Sequence, residues 1–200
     1  MIKGSEIRQS DYPIDRQFLD RWSPRALSGV EIPLQDLMTM LEAARWAPSC
    51  YNLQPWRMLY ARRDTPAWPA FFDLLIDSNK SWAANAGALV LFVSHKLNEK
   101  TGNHSITHSF DTGAAWGFFA LQGFAKGYVV HGMQGFDHAR ARNELGIPDD
   151  YGIDVMVAVG IPAPRETLPP KLQEREIPSQ RRKLTETVFE GKWPPRSLSE

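Results

Sequence analysis

Cysteine, net charge and long apolar runs are what this 200-residue sequence has least of. Cys50 is its only cysteine, which excludes an internal disulfide and any metal site built on several cysteines. Lys and Arg together number 23, as do Asp and Glu, so there is no basic excess to draw nucleic acid or an anionic membrane surface. The purest apolar run, residues 86–93, falls far short of the roughly 20 residues that cross a bilayer. Residues 1–20 are polar and lack the apolar segment of a secretion signal, so a cytoplasmic location is expected. No internal repeat is visible. What remains is an ordinary globular composition, 42% hydrophobic and 23% charged, long enough to bury a core without a metal or disulfide. Seven tryptophans and fifteen prolines are its excesses.

Leu34, Leu37, Met38, Leu41 and Ala44 recur at the spacing of one helical face, behind a proline at a plausible helix start. Pro48 stops that helix near Ala47, because the residue before a proline avoids helical geometry. A short amphipathic helix is expected over residues 14–21, a strand over 56–61 and a short helix over 69–76. Ala88–Val93 is a continuous run rich in branched side chains, the pattern of a strand covered on both faces. The longest predicted helix spans 110–126 and is apolar nearly all round, with Gly113, Gly117 and Gly123 expected where another backbone comes close. A short strand at 128–130, a helix at 137–145 and a buried strand at 154–160 follow. Residues 1–12 are expected to be loosely ordered. Residues 161–200 are rich in proline and charge and show no periodic apolar face, so they either stay disordered or lie over another surface. The sum is a mixed helix-and-strand domain, with a few buried strands wrapped by helices.

Three segments carry possible chemistry. Arg21-Trp22-Ser23-Pro24-Arg25 sets two guanidinium groups around a serine, beside a proline that fixes the turn. Forked guanidinium donors suit phosphate, although the same turn also reads as a solvated basic loop. Residues 43–56 run from a helix through Pro48, Ser49, Cys50, Tyr51, Asn52 and Gln54 to a second proline. Such a loop offers amide and hydroxyl partners to the polar edge of a heterocycle, or is simply a helix stop and a turn. Gly132-Met133-Gln134-Gly135 precedes Asp137, which can cap a helix. The glycines let the backbone approach a ligand, or mark an ordinary strand-to-helix turn.

In this order and spacing the three segments resemble the nitroreductase family of FMN-dependent oxidoreductases, over roughly residues 15–190. The resembling positions are Arg21, Ser23 and Arg25; then Ala47, Pro48, Ser49, Asn52, Gln54, Pro55 and Trp56; then Asn79 and Trp82; Asp111 and Gly113; and the basic segment Gln180–Leu184. The resemblance implies an α+β fold of three layers, α/β/α, with a central mixed, mostly antiparallel sheet around a buried central helix. Residues 1–160 would form the FMN-binding core and 161–200 a C-terminal arm of the same domain, exchanged in a homodimer with shared FMN sites. It further implies that Arg21, Trp22, Ser23 and Arg25 hold the FMN phosphate and ribityl chain, joined by Arg181 or Arg182. Pro48, Ser49, Cys50, Asn52 and Gln54 would reach the flavin from the partner subunit, and Asn79 its pyrimidine side. Gly132, Met133, Gln134 and Gly135 would pass beside the ring. FMN would carry the chemistry with no catalytic side chain, taking electrons from NADH or NADPH and passing them by a ping-pong mechanism to a nitroaromatic, quinone or similar small oxidant. The alternatives are a flavin-binding protein without turnover, or a specialised flavin enzyme such as a dehalogenase. Gln134 stands where the family often has Glu or Gly, and the lysine sometimes found near Trp82 is absent.

Other residues invite readings of their own. Cys50 has no motif-paired histidine and is expected to be a pocket wall rather than a nucleophile. His104 and His108 are four apart, as helical metal ligands would be, but the glutamate of that motif is missing and no metal is expected. Most tryptophans are expected in the core. In the arm, Leu168, Leu172, Ile177, Leu184, Val188, Phe189, Trp193 and Leu198 are too scattered to form a core alone and are expected to lie against the second subunit.

Overall fold

A computed structural model describes residues 2–194. After a 3-10 turn at Gly4–Glu6, helix α1 (Arg16–Asp20) is capped by the Asp15 carboxylate, which accepts from Gln17 N. Helix α2 (Leu34–Arg45) follows Pro33 and ends before Pro48, as its apolar spacing predicts. Strand β1 (Trp56–Arg62), helices α3 (Trp68–Phe72) and α4 (Asp77–Ala83), and strand β2 (Ala88–His95) come next. The long helix α5 (His108–Ala125), strand β3 (Val129–Met133), helix α6 (His138–Glu144) and strand β4 (Tyr151–Gly160) complete the core. Helix α7 (Pro170–Gln173) lies in the arm. Helix α4 has no counterpart in the sequence reading: its polar residues hide a short apolar face made by Trp82 and Ala83.

The sheet runs β1-β2-β4-β3, and every pairing is antiparallel, so the mixed sheet expected from the resemblance is purely antiparallel among the described residues. Strand β2 is central and buried along nearly its whole length, which explains its unbroken apolar run. Its alternate residues feed two cores. Leu89, Leu91 and Val93 meet Met156, Ala158, Val129 and Met133 beneath α3, α4 and α6. Ala88, Val90 and Phe92 meet Val157, Val159, Phe119 and Met40 beneath α2 and α5. The result is the expected α+β arrangement of three layers.

Helix α5 is buried on one face only. Phe119 packs edge-on to Phe92 with ring centroids 5.5 Å apart, while Phe110 is exposed. Of its glycines only Gly123 meets a close neighbour: a Cβ there would lie 2.5 Å from Val130 Cγ2 and 2.8 Å from Met40 Sδ. Gly113 and Gly117 face open space within this chain, contrary to the expected close approach.

The N-terminal residues depart from the expected loose order, and the arm lies over a surface, that of its own chain. Residues 2–20 are tied down: Arg8 is buried and its guanidinium donates to the Leu19, Arg21 and Ser179 carbonyls. The arm runs back over its own chain as far as residue 184. Leu27 bridges Pro162, Leu168 is buried, Gln180 donates to the Ile7 carbonyl, and Leu184 N donates to Asp11. Val188, Phe189 and Trp193 beyond it are exposed, and Leu198 lies outside the described residues. No helix among the described residues is long and apolar enough to cross a membrane.

Candidate functional site

The Arg21–Arg25 turn leaves α1 in an extended conformation, with its main chain held by Arg8, Glu176 and His131 and its Trp22 side chain held as well. Arg8 Nη1 donates to the Leu19 and Arg21 carbonyls, each at 3.0 Å. The Trp22 indole is buried and donates to the Ile2 carbonyl at 2.9 Å. Glu176 Oε1 accepts from Arg25 N at 2.6 Å and Ala26 N at 2.8 Å, and His131 Nδ1 lies 2.8 Å from the Pro24 carbonyl oxygen. With its backbone held this way, the turn presents side chains rather than peptide groups to the cavity beside it.

That cavity encloses about 430 Å³ and is lined by Arg8, Arg21, Arg25, Arg175 and Arg181, together with Ser23 and His131. Burial, then the neighbouring charges of Arg8 and Arg181, pulls the Arg21 pKa below its ordinary value. Burial likewise lowers Arg25, against an upward pull from Glu176 and with a further downward push from Arg175. Guanidinium groups keep their charge under such shifts, so the crowding concentrates positive potential where an anion relieves it. Arg181 faces this space. A neighbouring cavity with Tyr12, Ile14 and Phe18 is lined by both Arg181 and Arg182, so Arg181 borders both spaces and Arg182 only the second.

Beyond β3, the glycine turn packs on the loop entering α4. The Gly135 carbonyl accepts from Ile76 N at 3.1 Å and from Asn79 Nδ2 at 3.0 Å. A Cβ on Gly135 would lie 2.6 Å from Ile76 Cδ1 and 2.7 Å from the Asn79 amide nitrogen, so a side chain there would displace Ile76 and Asn79. Asn79 is therefore engaged in fixing this turn. Met133 is buried in the core rather than open to a ligand. Gly132 and exposed Gln134 line a further cavity of about 400 Å³ with Thr112, Gly113, Trp116 and Asp154.

The loop after α2 is strained. Tyr51, Asn52 and Gln54 adopt φ values of 49°, 56° and 49°, a region that favours glycine. Asp111 Oδ2 accepts from Cys50 N at 3.1 Å, Ser49 Oγ accepts from Gln54 N at 3.0 Å, and Tyr51 is 87% exposed. Pro48, Ser49, Cys50, Asn52 and Gln54 line none of the cavities lined by the arginine turn. His104 precedes α5 rather than sharing it, and His108 Nδ1 hydrogen-bonds Ser94 Oγ at 2.7 Å. Among the described residues no group of three His, Cys, Asp or Glu is arranged to hold a metal ion.

Sequence reasoning missed Arg8, His131, Arg175 and Glu176. Arg8 and Glu176 carry no local signal, because each acts on a turn distant in sequence. His131 had one: a lone histidine within a strand, just before the glycine turn.

The nitroreductase family model matches residues 19–81, which include the arginine turn, the strained loop and Asn79. An NADH dehydrogenase from Thermus thermophilus is 30% identical over 178 residues, covering 72% of this chain and 84% of that protein. A solved structure described as an oxidoreductase containing FMN superposes with a TM-score of 0.90 at 45% identity, covering 94% of this chain and 96% of the other. A second, described as a nitroreductase in complex with FMN from Desulfovibrio desulfuricans, gives a TM-score of 0.72 at 21% identity, over 92% and 100% of the two chains.

Proposed function

Because the chain belongs to the nitroreductase family, we propose that it is an FMN-dependent oxidoreductase carrying electrons from NADH or NADPH to a nitroaromatic, quinone or similar acceptor. The observation that carries this reading is the arginine-lined cavity. Arg21, Ser23 and Arg25 from one end of the chain and Arg175 and Arg181 from the other surround a single space. A phosphate monoester fits that donor set, because forked guanidinium groups give it paired, charge-assisted hydrogen bonds. When bound, FMN would supply two-electron redox chemistry between the nicotinamide and the acceptor.

The chain's own task is binding and orientation. Arg21, Arg25 and Arg181 hold the phosphate, and Ser23 adds a hydroxyl. The turn Gly132–Gly135, fixed through Asn79, lets the backbone lie close to the ring. Peptide and side-chain donors of the Pro48–Gln54 loop would offer hydrogen bonds to the cofactor and favour its negatively charged form. No side chain is asked to act as a nucleophile. Reductant and oxidant use one open surface in turn, which makes the kinetics ping-pong.

In this reading the working unit is a homodimer, since the strained loop of one chain and the arginine turn of another complete each site. Trp46, Tyr51, Phe110 and Trp193 are 69%, 87%, 79% and 82% exposed, more aromatic surface than an isolated soluble chain ordinarily leaves in water. The test is direct: purify the protein, record its flavin spectrum, and add NADH or NADPH without oxygen. Bleaching supports the proposal. Colour without bleaching points to a flavin-binding protein without turnover, and failure to take up FMN on reconstitution overturns the reading.

A further inference from the structure

His131 is the one uncharged ring among the side chains that line the arginine cavity apart from Trp22. It stands on β3 opposite Ala158, and its imidazole lies against Trp82 with ring centroids 4.6 Å apart. Nδ1 is 2.8 Å from the Pro24 carbonyl oxygen, an acceptor only, so Nδ1 must carry the proton. Burial, reinforced by the charges of Arg25 and Arg21, pushes the ring's pKa down to about 4, against the pull of the Pro24 and Ser23 carbonyls. A neutral ring protonated on Nδ1 has a lone pair on Nε2, which is an acceptor. The ring's one hydrogen bond of good geometry among the described residues is that of Nδ1, and Nε2 is not a sealed, orphaned atom of the core.

Of the other polar side chains around the cavity, the Trp22 indole donates to Ile2, the hydroxyls of Ser23 and Ser179 already accept from Arg21 and Arg181, and the rest are arginines. Arginine has no acceptor at all, and an anionic phosphate needs none. An acceptor among guanidinium groups therefore serves a different part of the ligand, one that carries hydroxyl hydrogens. We infer that His131 is the hydroxyl-reading residue of this cavity: its Nε2 accepts from the polyol chain of a phosphorylated polyol ligand, while the arginines take the phosphate. The inference rests on the FMN reading above and deepens it by naming what distinguishes FMN from a bare phosphate at this site. Trp82 and the Pro24 carbonyl make His131 a rigid acceptor, held by packing on one side and by the turn on the other.

The test uses apo protein and three probes: FMN, riboflavin, which keeps the chain but lacks the phosphate, and inorganic phosphate as a competitor of FMN. His131→Asn keeps a donor where Nδ1 stands but presents nothing at the position of Nε2. His131→Gln places an amide oxygen near that position and gives up the Pro24 contact. The expected result for His131→Asn is a loss of about three- to tenfold in affinity for both FMN and riboflavin, the size of one neutral hydrogen bond. Competition by inorganic phosphate should stay unchanged, and His131→Gln should recover part of the flavin affinity. Arg25→Ala should do the reverse, weakening FMN and phosphate while sparing riboflavin. Equal losses for FMN and phosphate in His131→Asn would make His131 a mere prop of the turn and overturn the inference. So would unchanged FMN affinity in a wild-type-like His131→Asn. Wild-type protein that binds neither flavin overturns the FMN reading and this inference together, an outcome separable from the others before any variant is made.

Discussion

Arg25 has its backbone nitrogen bound by the Glu176 carboxylate and its guanidinium in the cavity, so its side chain is free to act on a ligand while its main chain is fixed. Arg21 and Arg25 each add a charge-assisted contact worth about 1.5–3 kcal/mol to an anion held there. Arg21→Ala or Arg25→Ala should therefore weaken FMN roughly ten- to hundred-fold, read by quenching of flavin fluorescence on titration with apo protein. Full retention of FMN by both variants would show that the phosphate lies elsewhere. His131 gives a second, pH-linked outcome. Its pKa is about 4 when folded against an ordinary 6.5, so between those values the unfolded chain binds the extra proton. Stability supplied by the neutral ring is thus present above pH 6.5 and lost as the pH falls toward 4. Chemical denaturation of His131→Phe across that window should show a shallower decline with acid, by up to about one proton, than the parent. Residues of this kind differ in how they announce themselves. Arg21 and Arg25 flank a serine and a proline within five positions, and Gly135 sits in a short punctuated turn, so both could be read from the sequence. Arg8 and Arg175 could not, because their partners stand far along the chain and no local pattern encodes a distant carbonyl or a shared cavity.

At the scale of elements, strand β2 was legible because burial on both faces leaves no polar position in the run. The helix α5 was legible in extent but not in exposure. Its apolar circumference reads as complete burial, whereas only the face carrying Ala115, Phe119 and Gly123 is covered by the chain itself. The arm was legible as coreless but not as self-docking, since single contacts such as Leu168 and Glu176 hold it rather than a periodic face. Glu176 is the arm's main tie to the cavity. Its loss leaves two main-chain donors unanswered, that of Ala26 buried, at a cost of about 1–3 kcal/mol each. Glu176→Ala should lower the melting temperature and FMN affinity together, and Glu176→Gln, which keeps an acceptor oxygen, should restore much of both. A melting temperature that falls while FMN affinity holds would mean that the arm stabilises the fold without shaping the cavity.

For the whole molecule, the exposed aromatic surfaces argue for a second copy. The outward side of α5, the strained loop and the end of the arm expose Phe110, Tyr51 and Trp193. Light scattering should give about twice the mass of one chain, with no monomer on dilution to the nanomolar range, as expected of an obligate pair burying more than about 2,000 Å². A stable, flavin-loaded monomer would sink the shared-site assembly. Steady-state rates with both substrates varied should give parallel double-reciprocal lines, and intersecting lines would mean that reductant and oxidant sit on the protein together.

The clasp between the two ends of the chain has a consequence in time. Arg8 reaches the Ser179 carbonyl, Gln180 reaches that of Ile7, and Leu184 meets Asp11, while the same region supplies Arg175 and Arg181 to the cavity begun by Arg21. Synthesis must therefore pass Arg181 before the cavity begun by Arg21 can close. Until residues 175–184 are made, the arginine turn lacks both its Glu176 brace and its far arginines, so closure of the cavity comes late in folding.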